Sequence, residues 1–431
     1  MQLEIIELRM KIKRVLAVIG FVSLGLGANA QSTSTSPYSS FGAGDLLFDN
    51  NIEQAGMGGL SVFSTNPYSA SANFYNPAAN SLLNVTSFDF GVNTHMSQFD
   101  DGNSVSKKST TYISNISLAF PVSPKARAGF GFQPYSSVGY DLATLSENEE
   151  VRFKNEYNGS GGINSLHVMG SYNVSPELSL GLRANYLFGE LDRNQTISTE
   201  GLALLTDYSY KAKLSGFQFT AGAHYSKKIG TNKRLDVGGT YTLGAKVNAK
   251  IEDMTSTYVL MDLVPENIDT IHYHKIYGDM KLPQSVSIGA SYRKDLNWMI
   301  GAQLDWGDWG GYSLDEDDNS NMDTRFRVAA GGYWIPDFNS YKSYFNRVTY
   351  RLGGFYEATP LQFGDLGIKK YGVTFGFGFP VGKDRDASML NLAVELGQLG
   401  KANSMVIKEN YANIKLGFTL NDVWFRKRVI D

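Results

Sequence analysis

Along most of this chain, apolar and polar residues alternate with a period of two. In 371–381, Tyr371, Val373, Phe375, Phe377, Phe379 and Val381 alternate with Gly372, Thr374, Gly376 and Gly378. In 178–188, Leu178, Leu180, Leu182, Ala184, Tyr186 and Phe188 alternate with Ser179, Gly181, Arg183 and Asn185, and 411–420 repeats the pattern from Ala412 to Leu420. Successive side chains of a strand point to opposite faces, so this period predicts strands with one apolar and one polar face. Similar runs lie near 86–95, 111–120, 126–134, 163–174, 215–226, 234–247, 284–293, 297–306, 324–335, 346–357 and 389–397. Together they give about fourteen strands of roughly ten residues, the class that crosses a membrane as a closed antiparallel β-barrel.

The connections have their own rhythm. Short ones (Pro121–Lys125, Val174–Glu177, Ser226–Arg234, Arg293–Leu296, Ile335–Phe345, Val381–Ala387) alternate with long ones (96–110, 135–160, 190–209, 248–283, 307–323, 358–370, 398–408). Short periplasmic turns and longer surface loops alternate in this way in outer-membrane barrels, which puts both termini on the periplasmic side. Phe120, Tyr172, Phe188, Tyr225, Tyr292, Trp306, Trp334 and Trp424 fall at or near strand ends, as an interfacial girdle requires. A soluble β-sandwich can alternate too, but its strands are nearer five or six residues and it has no use for such a girdle.

Composition agrees with the barrel. The 431 residues include 25 Tyr, 25 Phe, 5 Trp and 45 Gly, with a mean hydropathy of −0.23. Only half of each barrel strand faces lipid, so a membrane protein of this kind keeps a low mean hydropathy. At the N-terminus, Lys11, Lys13 and Arg14 precede an apolar run from Val15 to Leu26 and then Ala28-Asn29-Ala30. That order predicts a signal peptide over 1–30. Its four cations and two carboxylates, once removed, take the formal net charge from −3 to −5, which argues against nucleic acid as a partner. No later stretch reaches the roughly 18 apolar residues of a membrane helix. The absence of cysteine excludes disulfides, thiolate catalysis and Cys-ligated metals.

Residues 31–85 break the alternation. After a polar tail come PYSSFGAGDLL (Pro37–Leu47), Gly56-Met57-Gly58-Gly59 and a stretch rich in small residues that ends in Asn76-Pro77-Ala78-Ala79. Small residues let backbones pack closely, which predicts a segment folded into the barrel lumen as a hatch. Phe41, Leu46, Leu47, Phe63 and Phe74 argue against full solvation. The chain thus divides into 1–30 signal peptide, 31–85 hatch, 86–425 barrel and 426–431 short basic periplasmic tail.

The GMGGLSVF element (Gly56–Phe63), the small-residue spacer and the Asn76-Pro77-Ala78 tripeptide ahead of the first barrel strand resemble the FadL/TodX family of outer-membrane transport proteins. The opening SPYSSFGAGDL and the closing KENYANIKLGFTLNDVWFRKR are similar to barrels of this type from Bacteroidota, PorV of the type IX secretion translocon among them. Unlike a terminal strand that ends on an aromatic residue, this chain continues through Trp424 and Phe425 to Asp431. The resemblance implies passive transport of hydrophobic molecules, bound near the hatch and released sideways through a kinked strand into the membrane. The alternative, which the Bacteroidota-like ends imply, is a non-catalytic barrel subunit of an outer-membrane machine, a secretion partner or a barrel-assembly partner.

Candidate ligand-binding residues follow from these two lines. Alternation turns Asp89, His167, Arg183, Gln218, Asp236, Gln303, Asp305, Arg325, Arg327, Arg351, Glu357, Glu395 and Lys415 inward. Among them Arg183, Arg325, Arg327 and Arg351 are suited to a carboxylate or phosphate headgroup. Phe41, Leu46, Phe63 and Phe74, with Asn76 and Pro77 of the hatch, are suited to an apolar tail. The competing reading of the inward charges is an internal network joining wall to hatch. The acidic loop Asp315–Asn321 lacks the Gly and position-twelve Glu of a calcium loop. His272 and His274, near Asp269, lack a third zinc ligand. Tyr258, Tyr273, Tyr277, Trp309 and Tyr312 are candidate adhesive loop residues. With five histidines and no Ser-containing motif beside them, the sequence predicts no enzyme, no metal and no cofactor. It predicts membrane lipid, a hydrophobic small molecule and an outer-membrane protein as partners.

Overall fold

The computed structural model describes residues 34–47, 51–65, 71–102, 104–148, 151–261, 264–314, 322–364, 366–381, 388–401 and 406–422. The expected signal peptide, the acidic run 315–321 and the tail from Val423 lie outside these residues. A two-residue strand, β1 (Asp45–Leu46), and one helical turn, α1 (Ile52–Ala55), precede the wall. The wall is built from β2 (Thr86–Asp100), β3 (Val105–Pro121), β4 (Ala126–Ser137), β5 (Tyr140–Asn148), β6 (Val151–Asn173), β7 (Leu178–Thr199), β8 (Leu204–Gly230) and β9 (Lys233–Thr242). It continues through β10 (Ala245–Met261), β11 (Val264–Leu282), β12 (Ser285–Lys294), β13 (Trp298–Gly307), β14 (Arg325–Trp334), β15 (Thr349–Phe363), β16 (Leu366–Val381), β17 (Ser388–Leu399) and β18 (Lys408–Asp422).

Every neighbouring pair is antiparallel, and β18 pairs with β2 from Lys408↔Asp100 to Asp422↔Thr86, which closes the ring. β5 prolongs β4, β10 prolongs β9 and β11 leads into β12, so the ring has fourteen staves. The fourteen-strand antiparallel barrel expected from alternation is therefore the fold. Its polarity is inverted relative to a soluble protein. Leu182, Phe217, Ile288, Ile300, Leu352, Val373 and Leu416 are exposed on the outside, while Asp89, His167, Gln303, Asp305, Arg327 and Arg351 are buried within. Among the described residues no helix is long and apolar enough to cross a membrane.

Three irregularities in the wall coincide with proline, which has no N–H to give to a ladder. A register shift at Pro134/Ser136 sits in β4, Pro283 separates β11 from β12, and Pro360 lies in the shift between Ala358 and Gln362 of β15. The first opens the wall. β3 pairs with β4 only over Ile116–Pro121, and beyond Phe132 the edge of β4 has no partner in β3. β1 takes that edge, with Asp45 opposite Ser137, Leu46 opposite Ser136, and the Leu47 N–H donating to the Tyr135 carbonyl at 3.1 Å.

The spans expected to be long loops are mostly strand. Most of 248–283 belongs to β10 and β11, and 135–160 and 190–209 are carried mostly by β4 to β8. The period is hidden there because both faces are polar or mixed. A membrane crossing needs roughly 9–11 strand residues, whereas β8 has 27 and β6 has 23. One side of the barrel thus rises as a six-strand sheet, β5–β6–β7–β8–β10–β11, at the end opposite the short turns.

If the outer apolar band faces lipid, Leu182→Arg, at a position 69% exposed in β7, lowers stability by about 2–4 kcal/mol. Urea unfolding in liposomes measures this, with the short-turn residue Glu177→Arg as the neutral control.

Candidate functional site

Of the segment ahead of β2, residues 34–47, 51–65 and 71–85 are described, and many of them lie against inward-facing residues of the wall. Asn51 caps α1 by accepting from the Gln54 N–H at 3.0 Å. Glu53, 1% exposed, then faces Arg351 at 3.6 Å. The Gly56–Gly59 turn runs backbone to backbone across β14 to β16. The Gly58 N–H donates to Thr374 Oγ1 at 2.7 Å, and Arg327 donates to the Gly58 carbonyl at 2.5 Å. At Gly353 a Cβ would overlap the Met57–Gly58 peptide, and at Gly238 one would overlap the Val62 carbonyl. Glycine is required on the wall as well as on the segment.

The Asn-Pro-Ala element is a fastener. The Asn76 side chain accepts from the Ala78 N–H at 3.1 Å and so caps the 3-10 turn Pro77–Asn80, with Pro77 preset at its first position. Its amide donates to the carbonyls of Val62 at 2.6 Å and, across two strands, of Ala223 at 3.1 Å and Gly239 at 3.4 Å. The Asn80 side chain accepts from the Asn73 N–H and donates to the Asn73 carbonyl, and the Asn73 amide donates to the carbonyls of Ser61 and Phe63. Gln303 accepts from both the Ser61 and Val62 N–H groups, at 2.7 and 3.1 Å. The roles of Asn73, Asn80 and Tyr75 were missed from the sequence, although the clustering of Asn beside the Pro turn was the available signal.

The predicted ligand residues are dispersed. Phe63, fully buried, packs with Met57, Leu60, Met299 and Tyr333 on one side of the lumen. Phe74 stacks on His167 at 4.6 Å and packs by Met169 on another. Phe41 contacts Phe363 at 4.8 Å and is 41% exposed. Leu46 joins an apolar cluster with Ile163, Leu191, Val247, Ile251, Trp309 and Tyr312. Trp309 and Tyr312, read from the sequence as adhesive loop residues, are buried there, whereas Tyr273 and Tyr277 are exposed.

Three of the four arginines have carboxylate partners. Arg325 meets Glu357 at 2.6 Å, Arg327 meets Asp305 at 3.1 Å, and Arg351 meets Glu53. Arg183 donates instead to the Phe74 carbonyl at 2.5 Å and to Thr220 at 3.3 Å. It lines a cleft shared with Leu46, Tyr75, Tyr135, Gln218, Trp306 and Arg325. That cleft, lined by apolar and aromatic side chains together with two arginines and Asp305, has the chemistry of an amphiphile site. Tyr75 bridges its floor, bonded to Ser287 at 2.6 Å and Asp305 at 3.3 Å. Burial first, and the Asp305 carboxylate second, push its phenol well above the ordinary value, so it remains a neutral donor.

Ser81, His224 and Asp236 stand in line, at 3.4 and 3.5 Å. Asp236 is engaged by Arg293 at 3.0 Å and the serine contact is long, so the group reads as a buried ionic tie rather than a nucleophile and base. Among the described residues no three His, Asp or Glu side chains converge on a metal position. His272 and His274 lie 6.0 Å apart on an exposed strand.

A closed fourteen-strand antiparallel barrel with an apolar outer face and a polar inner one is of the outer-membrane type. The family model BamG matches residues 10–431, and the chain belongs to the BamG family. Similar solved structures include the P. putida toluene transporter TodX, with 16% identity, 88% of this chain and 100% of that one covered, and a TM-score of 0.59. A Pseudomonas aeruginosa FadL homologue aligns at 14% identity over 88% and 99% of the two chains with a TM-score of 0.58. The Ralstonia pickettii toluene transporter TbuX aligns at 11% identity over 87% and 99% with a TM-score of 0.56. At these identities the likeness establishes the FadL-type fold. No curated protein sequence matches this chain.

Gly353→Val should push the segment off β15. Hydrogen exchange at the Gly58, Ser61 and Val62 amides is expected to rise at least tenfold, on the order of a 1.4 kcal/mol loss of local protection. Unchanged exchange would mean that the close backbone approach is not what holds the segment.

Proposed function

We propose that this chain is a non-catalytic barrel subunit of an outer-membrane machine, with residues 34–85 serving as a fixed hatch. The observation that carries this reading is the combination of a fastened lumen with a wall that rises on one side only. Segment and wall share buried ion pairs and side-chain bonds at Arg327, Arg351, Gln303 and Asn76. A segment held in this way suits a barrel that stays shut. The tall β5–β11 sheet offers a platform that membrane crossing alone does not need. The name of the BamG family fits a barrel-assembly partner better than a secretion one. Gentle extraction of the tagged protein from its own membrane, followed by native mass spectrometry, is expected to give a stoichiometric complex with another outer-membrane protein. A lone barrel carrying a bound amphiphile would overturn it.

A second reading has its own support. The opening between β3 and β4, covered by β1, and the Arg183 cleft behind it suit sideways passage of a hydrophobic or amphipathic molecule into the membrane. TodX and TbuX are described as toluene transporters and share the fold. On this reading Arg183→Leu weakens oleate binding to the purified barrel by at least fivefold, on the order of 1 kcal/mol for a charge-assisted bond. Equal oleate binding by both proteins would dispose of it.

A further inference from the structure

The tall sheet ends at β11, and among the described residues β11 has one partner strand. It pairs with β10 from Val264 to Leu282. Among the described residues its other edge meets only the bridge between Lys281 and Ser313. The Lys281 N–H donates to the Ser313 carbonyl at 2.8 Å, away from β10. Backbone groups alternate in direction along an antiparallel ladder, so those of Tyr273, Lys275, Tyr277 and Asp279 point the same way, away from β10, and among the described residues they meet no other strand. Soluble and membrane proteins blunt such edges with proline, bulges or coverage. Between His272 and Leu282 the pairing with β10 runs without a register shift, and no proline occurs from Glu266 to Leu282. The edge carries Ile271 at 63% exposure, Tyr273 at 58% and Tyr277 at 73%.

The outer face of the sheet states what would fit. Asp192 pairs with Lys211, Lys211 lies opposite Glu252, and Glu252 lies opposite Lys275. The ion pairs along this row measure 3.6 Å for Lys211–Asp192 and 3.8 Å for Lys275–Glu252. In the adjoining row Glu190 pairs with Lys213 at 3.5 Å, and Lys250 reaches across to Glu252 at 2.8 Å. The Lys250 ammonium holds the Glu252 carboxyl below the usual carboxylate range, so the row stays charged. The sign alternates strand by strand, and the series stops on a cation at the open edge. In these two rows four lysines face three carboxylates.

We propose that the free edge of β11 docks an extended segment of another polypeptide, which adds as a further strand and places an acidic residue opposite Lys275. Residues two positions to either side of that acid would lie against Tyr273 and Tyr277, where aromatic or aliphatic side chains pair best. A second copy of this chain does not fit. Two copies in one membrane hold β11 pointing the same way, whereas pairing this edge with itself by a two-fold axis turns one copy upside down. The inference deepens the machine-subunit reading by naming what the platform recognises, and it rests on that reading.

The test uses the full-length protein in lipid nanodiscs and a fluorescein-labelled peptide, Thr-Tyr-Thr-Glu-Thr-Tyr-Thr, read by anisotropy. The expected result is binding at least tenfold tighter than that of the same peptide with Lys in place of Glu. Lys275→Glu should reverse that preference. Tyr277→Pro removes an outward N–H that β10 does not use, and should abolish binding while the folded barrel keeps its heat-dependent gel shift. Equal binding of the two peptides to the wild type overturns the proposal, as does undiminished binding by Tyr277→Pro. A Tyr277→Cys protein that cross-links to itself would make a second copy the occupant and also overturn it. Peptide binding as expected, together with a lone ligand-loaded barrel on extraction, would sink the machine-subunit reading and leave the docking edge standing.

Discussion

The interior of this protein depends on how closely two backbones can approach. Residues 56–63 cross the inner wall with backbone directly against backbone at Met57–Gly58 and at Val62. That distance is available only because the wall presents glycine where the segment passes, at Gly353 beneath Met57–Gly58 and at Gly238 beneath Val62. Once the backbones are in contact, the polar groups of both must be satisfied within the lumen, since water is largely displaced. Gln303, Asn76, Thr374 and Arg327 do this. The glycines are thus the condition for the hydrogen bonds, and the hydrogen bonds for the position of everything from α1 to the Pro77 turn.

Charge follows the same plan. From Val15 to Ser106 the sequence has no lysine or arginine, so the segment brings only carboxylates, amides and hydroxyls into the lumen. The cations come from the wall, as Arg351 does for Glu53. Removing one member of such a buried pair is costly, about 3–5 kcal/mol, because the other is left charged in a place water reaches poorly. Arg183 is the exception, satisfied by a carbonyl and a hydroxyl rather than by an acid. It also lines the mixed cleft between Leu46, Tyr135 and Trp306, together with the Glu357-paired Arg325.

Much of this was legible in the sequence, because a barrel strand shows its two faces in every pair of residues. The ring of fourteen, the short turns and the inward position of Asp305, Arg327 and Arg351 follow from period two alone. The heights of the strands did not. Above the membrane both faces of β10 and β11 meet water or mixed neighbours, so Thr255, His272 and Lys275 give no alternation and read as loop. Nor could alternation place Phe41, Leu46, Phe63 and Phe74, which lie outside the wall strands. Their positions are set by which stave each turn of the segment meets, a long-range fact that no local pattern carries. Asn76 was found by its motif, but its bonds to β8 and β9 belong to residues nearly 150 and more than 160 positions away.

The segment that fills the lumen comes before the first wall strand in the chain, and the ring closes where the last strand meets the first. The segment is bonded to staves on several sides of that ring, β8, β9, β13 and β16 among them. Were it laid on the sheet while the sheet is still an open, curved ribbon, β18 would zip to β2 over contents already in place. The interior would then act as a mandrel, with the wall wound around it.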